Sequence, residues 1–153
     1  MADDHGIHWT VREVAETTST NADLLDEVDR VPDGPDHVVL RADHQTAGRG
    51  RLDRRWEAPP GANLLVSILF RQPPARPQVL TQAVACAALA AVDRWCSPNG
   101  VAAGLKWPND LVVDDRKLAG VLAQRHETGP VVVGIGLNVG WAPDGAAALA
   151  DLM

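Results

Sequence analysis

Apolar positions in this chain fall into short runs divided by polar, glycine and proline residues, and the spacing inside each run names its element. His8 to Val14 alternates weakly, as an edge strand does. In ETTSTNADLLDEV, Ser19 or Thr20 stands as a helix N-cap, Asp23 lies in the first turn, and Leu24 and Leu25 face a core. HVVLRAD follows the turn-forming VPDGPD and reads as a buried strand. Pro59, Pro60 and Gly61 stop regular structure, and Asn63 to Phe70, NLLVSILF, reads as a second buried strand. Gln78 to Cys96 is rich in alanine, leucine and valine and reads as a long helix packed on a sheet. Gly104 to Val113, GLKWPNDLVV, is a strand broken at Pro108 and resumed after Asp110; Asp114 and Asp115 turn the chain, and RKLAGVLAQRH returns as the second arm of a hairpin. VVVGIGLNVG is a further strand, and the tail PDGAAALADLM reads as a short helix.

Length and charge narrow the possibilities. At 153 residues and 16.3 kDa the chain is one domain with room for a real core. A net charge of -6 and a pI near 5.2 argue against a general nucleic-acid binder, which needs a broad basic face. No apolar run reaches the roughly 20 residues that span a bilayer, and MADDHGIHW lacks the basic and apolar regions of a signal peptide, so the expected location is the cytoplasm and no membrane partner is expected. Cys86 and Cys96 lie ten positions apart on one helix, about 15 Å along its axis, too far for a disulfide; both are expected to be core thiols. Only Lys106 and Lys117 among 14 basic residues are lysines. An ammonium kept against an arginine background suits a point charge that follows a reacting phosphate or carboxylate.

The positive charge is concentrated in Gly48 to Trp56, GRGRLDRRW, which holds Arg49, Arg51, Arg54 and Arg55 within nine residues. These guanidiniums repel one another, so the segment needs an anion to hold it compactly. Gly48 and Gly50 allow close approach of a ligand and positive φ, and Trp56 offers a flat face to a purine or an arginine plane. With little apolar content of its own, the loop is expected to be mobile until its ligand arrives. Gly134, Gly136 and Gly140 do not make a dinucleotide fingerprint, because their spacing is wrong and a strand surrounds them; glycines in a strand mark close approach of a ligand or another backbone.

Several polar groups at element ends have no evident structural role, namely Ser19 to Asn21, Gln45, the arginine loop, Asn63, Lys106 with Asn109 and Asp110, Lys117 and Asn138. Capping alone accounts for Ser19 to Asn21, but their hydroxyls and amide could equally hold a small polar ligand. In order, STN at Ser19 to Asn21, Gln45 with AGRGR at Ala47 to Arg51, Trp56, GANL at Gly61 to Leu64, KWPND at Lys106 to Asp110, RKLAG at Arg116 to Gly120 and GIGLNV at Gly134 to Val139 resemble the motifs of the biotin protein ligases. The resemblance covers Thr18 to Val139, and GRGR followed by KWPND at this spacing is its specific part.

The resemblance implies an α+β domain, a mixed and largely antiparallel sheet with helices packed on one face; residues 1–153 are expected to be a single catalytic domain, incomplete at the C-terminus, with no N-terminal DNA-binding domain and no C-terminal β-barrel domain. It implies activation of biotin by ATP to biotinyl-5'-AMP, with Mg²⁺ sharing the charge, and transfer to a lysine of a biotin carboxyl carrier protein. Residue by residue, it places Ser19, Thr20 and Gln45 around the ureido ring, with Asn21, Gly48, Arg49, Gly50, Arg51 and Lys106 completing the biotin site. Lys106 and Arg51 become the catalytic cations. Arg51, Arg54, Trp56, Asn63 and Asn138 serve ATP, and Asp110 or Asn109 serves the metal. Trp107 packs in the core or touches ligand, and Lys117 touches ligand or is a solvated charge. Three departures stand out: Asp53 among the phosphate-binding arginines, no DNA-binding region before Thr18, and an end at Met153 where relatives continue. An active ligase, a shortened domain that binds biotin or nucleotide without turnover, and a structural protein pairing with an acidic partner all remain open, and exposed strand edges allow a homodimer.

Overall fold

The computed structural model describes residues 7–153; Met1–Gly6, on which part of the leader-peptide reading rests, lie outside them. Seven strands form one sheet in the order β1-β2-β3-β7-β6-β5-β4. In chain order these are β1 (Trp9–Thr17), α1 (Thr20–Arg30), β2 (His37–Gln45), β3 (Leu64–Phe70), α2 (Val79–Cys96), β4 (Ala103–Lys106), β5 (Asp110–Val113), β6 (Arg116–Arg125) and β7 (Val131–Leu137). Only β1 and β2 pair in parallel. Such a pair needs a crossover, and α1 supplies it. The other neighbours are antiparallel, as expected.

Local chemistry explains the boundaries. Ser19 caps α1 with extended backbone (φ -162, ψ 127), its side chain accepting from the Ala22 N–H. Asp114 and Asp115 take φ of 48 and 61, the conformation that a two-residue turn between right-twisted strands requires, and Val113 pairs with Arg116 across it. The expected strand broken at Pro108 is instead a complete reversal: Lys106 pairs with Asp110, so β4 and β5 form a second hairpin. The tail closes in a single 3₁₀ turn, Leu149–Leu152.

The helices do not share a face. Val131, Val133 and Leu137 of β7 pack with Leu80, Ala85, Val92 and Cys96 of α2, while Val132 joins Leu24 and Val28 of α1 with Val38, Leu40 and Leu69. Successive strand residues point to opposite faces, so α1 covers β2, β3 and β7 on one side and α2 covers the β4 to β7 half on the other. The expectation of helices on one face fails because the central strands are apolar on both faces: Val132 and Leu69 need covering on the α1 side, and Val131, Val133 and Leu137 on the α2 side.

Along α2 the buried positions are Leu80, Ala85, Val92 and Cys96. Cys96 is a core thiol, its pKa raised by burial and then by the Asp93 carboxylate, but Cys86 is exposed, which corrects the expectation for that residue. By length and composition Val79–Asn99 could cross a bilayer, although Asp93 and Arg94 interrupt its apolar run; in this fold one side of it is sheet-packed.

Glu27 ties three elements together. Its carboxylate accepts from Arg12 of β1 at 2.6 and 3.1 Å and lies 3.9 Å from the guanidinium of Arg71, just beyond β3. The Arg71 side chain is only 7% exposed, so this carboxylate is the nearest counter-charge of a buried cation. Glu27→Gln is therefore expected to lower the unfolding free energy by about 3 kcal/mol in urea titrations. Arg41→Ala, which breaks the exposed pair with Glu13, should cost under about 1 kcal/mol.

Candidate functional site

A cavity of about 500 Å³ opens on the face that carries α1, a size suited to a small organic ligand. Its inner end is neutral and polar. Thr20 N–H and Oγ meet Gln45 Oε1 at 2.8 and 2.9 Å, Thr20 Oγ lies 2.6 Å from Ser67 Oγ, and Ser67 Oγ donates to Asn21 Oδ1 at 2.6 Å. Asn21 Nδ2 donates to Gln124 Oε1 at 2.8 Å and to the Leu122 carbonyl at 3.3 Å. Ser19, Thr20, Asn21 and Ser67 are all buried there. Buried polar groups of this density are costly unless bonded, and here they bond one another across α1, β2, β3 and β6. The arrangement goes beyond capping: only Ser19 serves the helix end.

The outer end is cationic. Gly48 to Trp56 folds as a miniature hairpin, with Gly50 N–H donating to Arg54 O at 2.7 Å, Arg54 N–H to Arg51 O at 3.2 Å and Trp56 N–H to Gly48 O at 2.9 Å. The expectation of positive φ at Gly48 and Gly50 is not met; the left-handed residues are Leu52 (φ 56) and Asp53 (φ 58) at the tip. Gly48 is required for space, since a Cβ there would overlap the Trp56 carbonyl oxygen. Arg49, Arg51 and Arg54 line the cavity and make no ion pair among the described residues, whereas Arg55 pairs with Glu57 at 3.3 Å. Asp53 likewise pairs with neither Arg51 nor Arg54. Arg51 reaches across to Asn109 Oδ1 at 3.2 Å, linking this flap to the β4–β5 turn.

Lys117, rather than Lys106, is the lysine inside. Lys117 Nζ lies 2.8 Å from Asp110 Oδ1 and 5.6 Å from the Trp56 ring centroid. The contact with Asp110 is an ion pair without hydrogen-bond geometry, because Asp110 Oδ1 is buried with no hydrogen-bond partner. Lys106 is exposed and does not line the cavity. Its register partner is Asp110, and opposed residues of an antiparallel pair share a face, so Lys106 stands at the rim. The hairpin reversal moves it there; a continuous strand would have placed it differently. Trp107 beside it is 88% exposed, not core.

Asn63 and Asn138 differ most from expectation. Asn138, 2% exposed, touches the cavity but spends its amide on structure: Nδ2 donates to Ala147 O at 3.1 Å and Lys117 O at 3.4 Å, and Oδ1 accepts from Asn63 at 3.3 Å. Asn63 Oδ1 takes the N–H groups of Val139 and Trp141 at 3.0 and 3.2 Å. Neither amide is free to read a base; together they fasten the tail to β6 and β7. No cluster of three His, Cys, Asp or Glu side chains that could hold a metal occurs among the described residues, at Asp110 or elsewhere. Ser67 and Gln124 were missed by sequence reasoning. The signal for Ser67 was its place between Leu65 and Leu69 in the inward register, where an apolar residue belongs.

Known proteins are similar in sequence and in fold. Residues 12–140 match the model of the Biotin/lipoate A/B protein ligase family. The chain is 43% identical over 134 residues to a Mycobacterium tuberculosis biotin--[acetyl-CoA-carboxylase] ligase, covering 86% of this chain and 50% of that protein. It is 38% identical to the Paracoccus denitrificans protein of the same name, covering 88% of this chain and 56% of that one. The chain thus spans about half the length of these relatives. Among solved structures, the biotin protein ligase of Leishmania major with biotinyl-5-AMP superposes with a TM-score of 0.79 at 25% identity, covering 93% of this chain and 64% of that one. The Aquifex aeolicus biotin protein ligase with biotin and ATP gives 0.75 at 27% identity, covering 93% and 60%.

Because Asn138 has a clamping role, Asn138→Ala should lower the urea unfolding free energy by about 1–3 kcal/mol through the carbonyls it strands. Carboxypeptidase digestion of the tail should accelerate in the same variant.

Proposed function

The chain belongs to the Biotin/lipoate A/B protein ligase family, and from that premise we propose that its cavity binds biotin and ATP, joins them as biotinyl-5'-AMP, and delivers biotin to a lysine of a biotin carboxyl carrier protein. The observation that carries this reading is the division of one cavity into a neutral hydrogen-bonding end and a mouth of unpaired guanidiniums. A cyclic urea suits the first end, where Thr20, Asn21 and Gln45 offer directed donors and acceptors. A triphosphate suits the second, where Arg49, Arg51 and Arg54 have no competing carboxylate.

In the first step a carboxylate oxygen of biotin attacks the α-phosphorus, the bond from phosphorus to the bridging oxygen breaks, and pyrophosphate leaves. Two anions must meet, so the barrier falls with fixed positive charge at the point of contact. Lys117 holds an ammonium inside the cavity, paired with the Asp110 carboxylate at 2.8 Å. Lys106 closes from the rim, on the face it shares with Asp110. In the second step the carrier lysine attacks the acyl carbon and AMP departs. Asp110 would offer Mg²⁺ one carboxylate, exchanging the Lys117 ammonium it pairs with at 2.8 Å for an ion that commonly takes one or two carboxylates with the rest from phosphate and water. Bound there, the ion would neutralise phosphate charge. Asn63 and Asn138 support the wall behind the site.

Incubation with biotin and α-labelled ATP, followed by separation of labelled biotinyl-AMP, tests the reading directly: no adenylate under any condition overturns it. Thr20→Val should weaken biotin binding at least about tenfold by calorimetry, because it removes the hydroxyl that links Gln45 and Ser67 at the inner end of the cavity. Lys106→Ala and Lys117→Ala should each slow adenylate formation by about a hundredfold or more while biotin still binds. A variant that keeps the parental rate removes that lysine from catalysis.

A further inference from the structure

Two glycines in the cavity floor lack side chains for one shared purpose. Gly120 of β6 and Gly136 of β7 are register partners, so their missing side chains leave a single recess on one face of the sheet. The indole of Trp56 fills it. A Cβ on Gly136 would overlap Cε2 and lie 2.6 Å from Nε1, and one on Gly120 would meet Cζ3 at 3.3 Å and Lys117 Nζ at 3.1 Å. Neither glycine has a left-handed φ. The requirement is therefore for space, not for backbone freedom. Two residues along the same strand, Gly134 has another neighbour: a Cβ there would overlap Asn21 Oδ1.

Trp56 closes the flap hairpin through its N–H bond to Gly48 O at 2.9 Å, so a displaced ring drags the adjoining arginines with it. Elsewhere the flap is held to the body by single polar contacts of exposed side chains, Arg51 to Asn109 at 3.2 Å and Arg55 to Thr46 O at 3.4 Å. The ring is its one apolar anchor among the described residues, since Leu52 is 81% exposed. We propose that the Gly120–Gly136 pair is the seat of the flap, a pair of positioning residues that fixes the arginines over the cavity by admitting Trp56. The seat stands on geometry alone; its consequence for nucleotide binding rests on the function proposed above.

Trypsin reads the flap without any ligand, through cleavage after Arg49, Arg51, Arg54 and Arg55 identified by fragment mass. Gly136→Ala should raise the cutting rate in this segment by about tenfold or more, because cleavage follows the population of the open form. Gly120→Ala should raise it by under about threefold, since its nearest neighbour is the mobile end of Lys117. Trp56→Ala, which leaves the sheet untouched, should match Gly136→Ala, and the double variant should cut no faster than either single one. Gly134→Ala, equal to Gly136→Ala as a change in strand composition, should leave flap cutting at the parental rate. The proposal is overturned by parental cutting in Trp56→Ala, by equal acceleration in Gly134→Ala and Gly136→Ala, or by additive acceleration in the double variant. In calorimetry Gly136→Ala should weaken ATP about tenfold and spare biotin. Should the parent bind neither ligand, the proposed function fails while the tryptic rates still decide the seat.

Discussion

Alternation along β7 is the constraint on which this molecule is built. Its odd positions, Val131, Val133 and Leu137, are committed to the α2 side, and its even positions change character along the strand, from Val132 under α1 to Gly134 beneath Asn21 and Gly136 beneath Trp56. One face thus passes from dry core to polar pocket to ring seat within five residues. A shift of pairing by one residue would exchange the two faces completely. The register with β3 and β6 therefore fixes both the core and the cavity.

Within that frame the cavity separates two kinds of stabilisation. At the inner end, polar side chains from four elements bond one another, and a rigid, satisfied network of this kind suits recognition of a neutral ring by directional bonds. At the mouth, Arg49, Arg51 and Arg54 have no carboxylate partner among the described residues, and a bound anion would relieve their mutual repulsion. Trp56 joins the two regimes, being anchored on backbone beside the polar end and covalently continuous with the arginine hairpin. In this structure the loop is a hairpin with one aromatic anchor.

The lysines illustrate how topology reassigns chemistry. Both lie in the hairpins around Asp110, and a linear reading favours Lys106 because it belongs to KWPND. The reversal between β4 and β5 sets Lys106 at the rim and leaves Lys117 over Trp56, where Asp110 holds it. Asp110 thus has Lys106 as its register partner on β4 and the Lys117 ammonium at 2.8 Å from β6.

Sequence alone determined the order and type of nearly every element, since hydrophobic period, turn residues and caps are local properties: the Ser19 cap, the Asp114–Asp115 turn and the alternation of Leu65, Ser67 and Leu69 can each be read within a few residues. Motif order also identified the residues that meet in the cavity, because Thr20, Gln45, Arg51 and Trp56 stand at element ends whatever the sheet order. What only the tertiary structure decided are the relations between distant segments. The two helices lie on opposite faces, Asn63 and Asn138 clamp the tail, and Lys117 takes the interior place. Each of these depends on which strand edges pair, a choice made by long-range burial that no local window contains.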